Sequence, residues 1–184
     1  MSRVHLIDPA TATGNAAEQL AATQATLGVV PNMAKAMAHS PAALKGFLGL
    51  FGALKDGVLS AGMQERIALA VAELNGCSYC LSAHTMVSRN VAQLPEEEIE
   101  AARQGTSSDP KAAAVLRLAV AISENRGRIG DEAFAAAREA GLTDEEIVEV
   151  IANTVRNIFT NYVNEALDVD VEWPLVTPYA RAAV

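Results

Sequence analysis

Apolar residues recur along this chain at three- and four-residue intervals, within stretches rich in alanine and leucine, and period-two alternation of β-branched residues is scarce. That spacing puts the apolar side chains on one face of a helix and does not suit a half-buried strand. The breaks between stretches carry helix-end chemistry. Ser40-Pro41 and Asp109-Pro110 each set an N-cap residue before a first-turn proline, whose missing N–H removes no bond there. Thr143 followed by Glu146 is a capping box, and Gly28, Gly57, Gly105 and Gly141 fall where periodic stretches end. Helices are predicted over residues 14–27, 32–38, 41–55, 60–75, 78–92, 96–104, 110–126, 131–140 and 143–166, the last of them breaking near Asn157. From about Asp168 the pattern stops, and Asp170-Val-Glu-Trp-Pro174 reads as an extended tail whose Trp173 packs on the body or on a neighbouring subunit. No stretch is rich enough in Gly, Ser or Pro to separate domains. The expectation is one all-α domain over residues 1–184.

Composition narrows the class. In 184 residues the hydrophobic share is 51% and the aromatic share 4%, which argues against disorder. A chain of this length buries roughly 70% of its unfolded surface and needs no metal or disulfide to fold. The net charge of −8 opposes binding to nucleic acid or anionic lipid. The longest wholly apolar run, Ile67 to Ala72, is far short of the ~18 residues of a membrane span. The opening residues lack the apolar core of a signal peptide. A cytoplasmic protein is expected, in a compartment where cysteines are more often reactive or metal-bound than paired structurally.

Leu59-Ser-Ala-Gly-Met-Gln-Glu65 and Leu142-Thr-Asp-Glu-Glu-Ile-Val148 open helices in the same way, and Leu94-Pro-Glu-Glu-Glu-Ile99 does so a third time. Good caps resemble one another, so the echo fits either a duplicated helical hairpin or shared capping grammar.

The chain has two cysteines, both in Cys77-Ser-Tyr-Cys80. Two cysteines placed at random would take this spacing in about one arrangement in ninety. Asn75-Gly76 marks a turn just before the pair, so it sits at a helix N-terminus, where the positive end of the dipole favours the thiolate. His84 follows Cys80 by one helical turn and can activate a thiol. The dipole alone favours Cys77 as the more acidic thiol. A haem attachment needs His directly after the second cysteine, where Leu81 stands, and an iron–sulfur cluster needs four thiolates. Zinc held by Cys77, Cys80 and His84, with Glu65 or water as fourth ligand, is a competing reading, although this is not the usual knuckle spacing. No cofactor is expected, because no strand–glycine loop–helix unit for flavin, nicotinamide or phosphate is visible.

Glu65, twelve residues before Cys77, and Cys77-x-x-Cys80-x-x-x-His84 between two apolar helices resemble the alkylhydroperoxidase D family. That family belongs to the carboxymuconolactone decarboxylase superfamily, whose all-helical units assemble as trimers or hexamers. The resemblance is strongest from Ser60 to Val91. Gly141-Leu-Thr-Asp-Glu-Glu and Asn161-Tyr-Val-Asn164 with Asp170-Val-Glu-Trp-Pro174 resemble the peroxidase-related branch. The resemblance implies a peroxidase reducing organic hydroperoxides, with Cys80 as peroxidatic thiol, Cys77 as resolving thiol, and His84 and Glu65 as proton relay. It implies a homotrimer or homohexamer recycled by a dithiol, from a lipoyl-bearing or thioredoxin-like protein, with a peroxiredoxin as a further partner. Tyr79 departs from the family, which carries His at that place. Two other readings stand beside it: a carboxymuconolactone decarboxylase-like lyase, whose branch does not rely on a Cys-x-x-Cys pair, and a non-enzymatic oligomer that senses oxidant or binds zinc.

Other residues have plainer expectations. Glu73 is expected in solvent, where it would only weakly disfavour the Cys77 thiolate. Glu96, Glu97, Glu98 and Glu100 read as an acidic helix start. His5 and His39 read as unpartnered surface residues. Asn153, Asn157, Asn161 and Asn164 form a polar stripe at helical spacing, expected on a wetted helix face, with an interface or pocket wall as the alternative.

Overall fold

A computed structural model describes residues 1–179. Among these residues the regular structure is nine α-helices: α1 Gly14–Leu27, α2 Asn32–Met37, α3 Pro41–Lys55, α4 Ala61–Leu74, α5 Ser78–Asn90, α6 Glu96–Arg103, α7 Pro110–Glu124, α8 Asp131–Glu139 and α9 Asp144–Leu167. None is long and apolar enough to cross a membrane. The helix starts fall where the capping signals put them. Ser40, Ser60 and Asp109 accept from the backbone N–H three residues on, and Thr143 and Glu146 complete their reciprocal box. One expectation fails: α9 runs unbroken past Asn157 to Leu167, because Asn153 and Asn157 bond their side-chain amides to the carbonyls four residues back and leave the helix ladder intact.

The run Ile67–Ala72 is buried on every side, which makes α4 the central helix. Leu69, Ala70 and Ala72 pack with α1, α2, α3, α6 and the start of α5. Ile67 and Val71 pack on the opposite side, against α7, α8 and α9. Both cysteines, Tyr79 and Leu81 belong to the first of these clusters, so the Cys-x-x-Cys turn is anchored in the core.

The acidic start of α6 is more than a solvated run. Glu98 is buried and accepts from Arg66 Nε at 3.1 Å, Ser107 Oγ at 2.6 Å and the Ser108 amide at 2.9 Å. The serine hydroxyls, foremost among these bonds, hold its pKa at about 2. Since the folded value lies below the unfolded one of about 4.3, this stabilisation is complete above that pH and is lost as pH falls through about 2. Glu98→Gln is expected to cost about 3 kcal/mol in urea unfolding at pH 7, a difference from wild type that shrinks as the pH is lowered from 4 towards 2.

Beyond α9 the chain forms a strap held at several points. Asn32 Nδ2 donates to the Asp170 carbonyl at 3.0 Å, the Val176 amide donates to Ser82 Oγ at 2.9 Å, and Arg103 donates to the Thr177 carbonyl at 3.0 Å. Trp173 packs against the first core cluster, as expected of the body-packed alternative. Glu73 is not solvated: Arg103 pairs with it at 2.9 Å, and it accepts from the Tyr179 amide at 2.7 Å. His5 and His39 lie at the surface but are partners, with rings edge to face at 4.5 Å and His39 Nε2 at 2.9 Å from the His5 carbonyl.

Candidate active site

The link between α4 and α5 sets the thiol geometry. Asn75 ends α4, Gly76 takes φ +69°, and Cys77 becomes the N-cap of α5. The left-handed turn at Gly76 is one a side chain would strain. Cys77 Sγ then accepts from the Cys80 amide at 3.3 Å, so a thiol does the work of a capping serine. The two free sulfurs lie 2.9 Å apart.

Burial opposes ionisation of Cys80, yet its pKa lies below the ordinary thiol value. The Cys77 thiol, the positive field of His84 and the amides of Asn164 and Asn161 outweigh that burial. Asn164 Nδ2 donates to Cys80 Sγ at 3.2 Å. Cys77 moves the other way: its hydrogen bond to Cys80, then burial, push its pKa well above the usual range. The simple dipole expectation for Cys77 is thus reversed, because a capping thiol shares its proton with the sulfur one turn on. His84 Nδ1 lies 2.8 Å from Glu65 Oε2. Burial disfavours the imidazolium, but the Glu65 charge prevails and raises the His84 pKa. All four residues singled out in the sequence therefore meet, in two pairs: sulfur with sulfur, and imidazole with carboxylate.

The cavity above them has a volume of about 530 Å³, within the range of small-molecule sites. Met33, Phe47, Phe51, Met86 and Trp173 give it an apolar wall, and Cys80, His84 and Glu65 line it. Cys77 does not line it and is fully buried behind Cys80. Among the described residues, no group of three or more His, Cys, Asp or Glu side chains could hold a metal ion.

The asparagine stripe of α9 is buried, contrary to the expectation of a wetted face. Asn157 and Asn164 line the cavity, and Asn161 Oδ1 accepts from Asn75 Nδ2 at 2.8 Å, tying α9 to the turn before Cys77. The opposite face of α9 carries exposed Val148, Val155, Phe159 and Tyr162. Judged by amphipathicity alone, the helix is inside out. Its signal in the sequence is four asparagines at one-turn spacing, and the reason to read them inward is that a thiolate needs donors.

Tyr79, at the family's histidine position, also has a different task. Its hydroxyl donates to Glu172 Oε1 of the strap at 2.9 Å and accepts from the Met33 amide at 3.0 Å. Burial raises its pKa far above neutrality, so it stays a neutral donor and holds the strap in place of relaying protons. Tyr79→Phe is expected to lower stability by about 1 kcal/mol, or about 2–4 °C in a thermal melt, with the reactivity of Cys80 towards iodoacetamide retained.

Residues 41–121 match the Carboxymuconolactone decarboxylase family. A search of curated protein sequences finds no match. Among solved structures, the chain is similar to the alkylhydroperoxidase core of a peroxidase-related protein from Ralstonia eutropha JMP134. That pair has 26% identity and a TM-score of 0.81, over 93% of this chain and 92% of that one. It is similar in fold to a peroxidase-related protein from Silicibacter sp. TM1040, with 24% identity and a TM-score of 0.78 over 92% and 91% of the two chains. A debrominase in complex with 2,3,4-tribromopyrrole shares the fold at 22% identity and a TM-score of 0.74, over 94% of each chain.

Proposed function

We propose, for a chain that belongs to the carboxymuconolactone decarboxylase superfamily as an alkylhydroperoxidase D-like member, the activity of a thiol peroxidase that reduces organic hydroperoxides through Cys77 and Cys80. The observation that carries this reading is the division between the sulfurs. Cys80 faces the cavity with the lowered pKa, and Cys77 stands behind it with the raised one.

The Cys80 thiolate attacks the peroxide oxygen remote from the alkyl group. The O–O bond breaks, Cys80 becomes a sulfenic acid, and the alkoxide takes a proton from His84 or Cys77 to leave as an alcohol. The Cys77 sulfur then attacks the sulfenic sulfur, and the hydroxide it displaces leaves as water with the second of those two protons. A dithiol then reduces the Cys77–Cys80 disulfide and becomes a disulfide itself. The balance is one hydroperoxide and one dithiol converted to alcohol, water and one disulfide. Glu65 keeps the imidazole oriented and charged.

Mass spectrometry through one cycle tests the reading. Reduced protein given one equivalent of cumene hydroperoxide should lose two hydrogens, with Cys77 linked to Cys80, and regain them with dihydrolipoamide. Thiols that stay reduced would sink the proposal.

The exposed stripe of α9 meets Ala42, Ala43, Gly46 and Leu50 of α3 along one shallow apolar groove. Association of copies through this face is the ordinary way to cover it. Phe159→Glu is expected to shift sedimentation towards a smaller species, and an unchanged sedimentation coefficient would remove the face from the interface.

A further inference from the structure

The peroxide chemistry leaves one buried charge without a task. Arg156, on α9, is only 4% exposed and lines the cavity that holds Cys80 and His84. Its contacts are thin for a buried guanidinium: a 3.4 Å hydrogen bond from Nη1 to Gln64 Oε1, and the Phe51 ring with its centroid 5.3 Å from the guanidinium carbon. No carboxylate lies within 4.0 Å of it among the described residues, although other buried or half-buried arginines here, Arg66 and Arg103, are paired. Gln64 is itself fixed by donating to the Leu54 and Leu59 carbonyls at 2.9 Å, so it cannot follow Arg156 elsewhere. Burial pulls the Arg156 pKa down, with the more distant Glu65 opposing. A guanidinium has five donors in a planar fork suited to a carboxylate, and burying it unpaired is costly.

The other charges on the wall do not supply a counter-ion. Glu65 is committed to His84, the Cys80 thiolate is held by Cys77, His84 and Asn164, and Lys55 is exposed at the rim and also positive. A chain of net charge −8 thus keeps one guanidinium without a carboxylate partner inside an apolar cavity.

We propose that Arg156 is the anion anchor of this cavity, and that the molecule it admits is an apolar carboxylate: a hydroperoxide whose carboxylate pairs with Arg156 while its chain lies against Phe51, Met33 and Trp173. The inference rests on the peroxidase reading for the reacting end of the ligand, and on Arg156 for the other end.

Trp173 is the sole tryptophan and lines the cavity, so its fluorescence reports binding without turnover. Reduced protein is titrated with octanoate and with octanamide, which share shape and differ in charge. Octanoate is expected to bind about tenfold more tightly or better. Arg156→Met should abolish that preference, Arg156→Lys should keep part of it, and Lys55→Met should leave most of it. Equal affinities for octanoate and octanamide in wild type overturn the proposal, as they would if a carboxylate of a neighbouring copy already occupied the guanidinium. A preference that survives Arg156→Met, or disappears with Lys55→Met, also overturns it. Should Arg156→Met fail to fold, the wild-type and Lys55→Met titrations still decide, because Lys55 is an exposed rim residue. None of these titrations involves a peroxide. Their failure leaves the cumene hydroperoxide cycle standing, and failure of that cycle leaves the titrations readable.

Discussion

Cys80→Ser is expected to lower hydroperoxide turnover by roughly 10⁴-fold or more, to the level of the reductant alone. The alcohol is a far weaker nucleophile than the thiolate, and the donors around position 80 cannot ionise it at neutral pH. Cys77→Ser should behave differently. It retains the cavity-facing sulfur, so one equivalent of peroxide is consumed and then the reaction stops, with a sulfenic acid at Cys80 that dimedone traps. Stopped-flow consumption of cumene hydroperoxide, followed by mass spectrometry of the dimedone adduct, separates the two variants. If Cys77→Ser turned over freely, or Cys80→Ser gave the single-turnover burst instead, the roles of the two sulfurs would be exchanged.

The second large effect concerns His84. Its raised pKa keeps a positive charge near Cys80, and the lowered pKa of Cys80 is the other side of that coupling. In wild type the pH profile of Cys80 alkylation by iodoacetamide should therefore have its inflection below the ordinary thiol pKa of about 8.5. His84→Ala removes the positive field and a proton donor for the alkoxide. The inflection should move upward, and peroxide reduction at pH 7 should fall by roughly 10²-fold or more. Glu65→Gln leaves the imidazole but withdraws the carboxylate that charges it, so the His84 pKa falls and the same inflection moves up by less. An alkylation profile unchanged in His84→Ala would show that the imidazole does not activate this thiol.

Much of this site is legible along the chain because its pieces are local. Ser60, Thr143 and the two Ser/Asp-Pro pairs start helices through bonds made within one turn, and the capped starts appear where those residues fall. Cys77, Cys80 and His84 belong to a single turn and helix, and Glu65 lies on the helix just before it. What the sequence does not disclose depends on distant pairings. Glu73 reads as solvated until Arg103 and the Tyr179 amide are brought to it across the fold. Tyr79 reads only as a departure from the family histidine until Glu172, ninety-three positions on, takes its hydroxyl. Arg156 gives no local signal at all, since one arginine on a long mixed helix looks like any other. The asparagines give a clear signal that amphipathic reasoning turns the wrong way, because that reasoning assumes the polar side of a helix faces water.

The orientation of α9 has a practical consequence for anyone altering this protein. Consensus of hydrophobic pattern would recommend leucine or alanine at Asn161 and Asn164, since both are buried, and charged residues at Val155 and Phe159, since both are exposed. The first pair of changes would take the Asn164 donor from the sulfur and the Asn161 acceptor from Asn75, loosening the hold on the thiolate and on the turn before it. The second pair would favour solubility of single copies at the expense of any assembly. On this helix the usual recipe for a sturdier domain is a recipe for losing what the domain is built around, and stabilising substitutions are better sought on α8, which lines no part of the cavity.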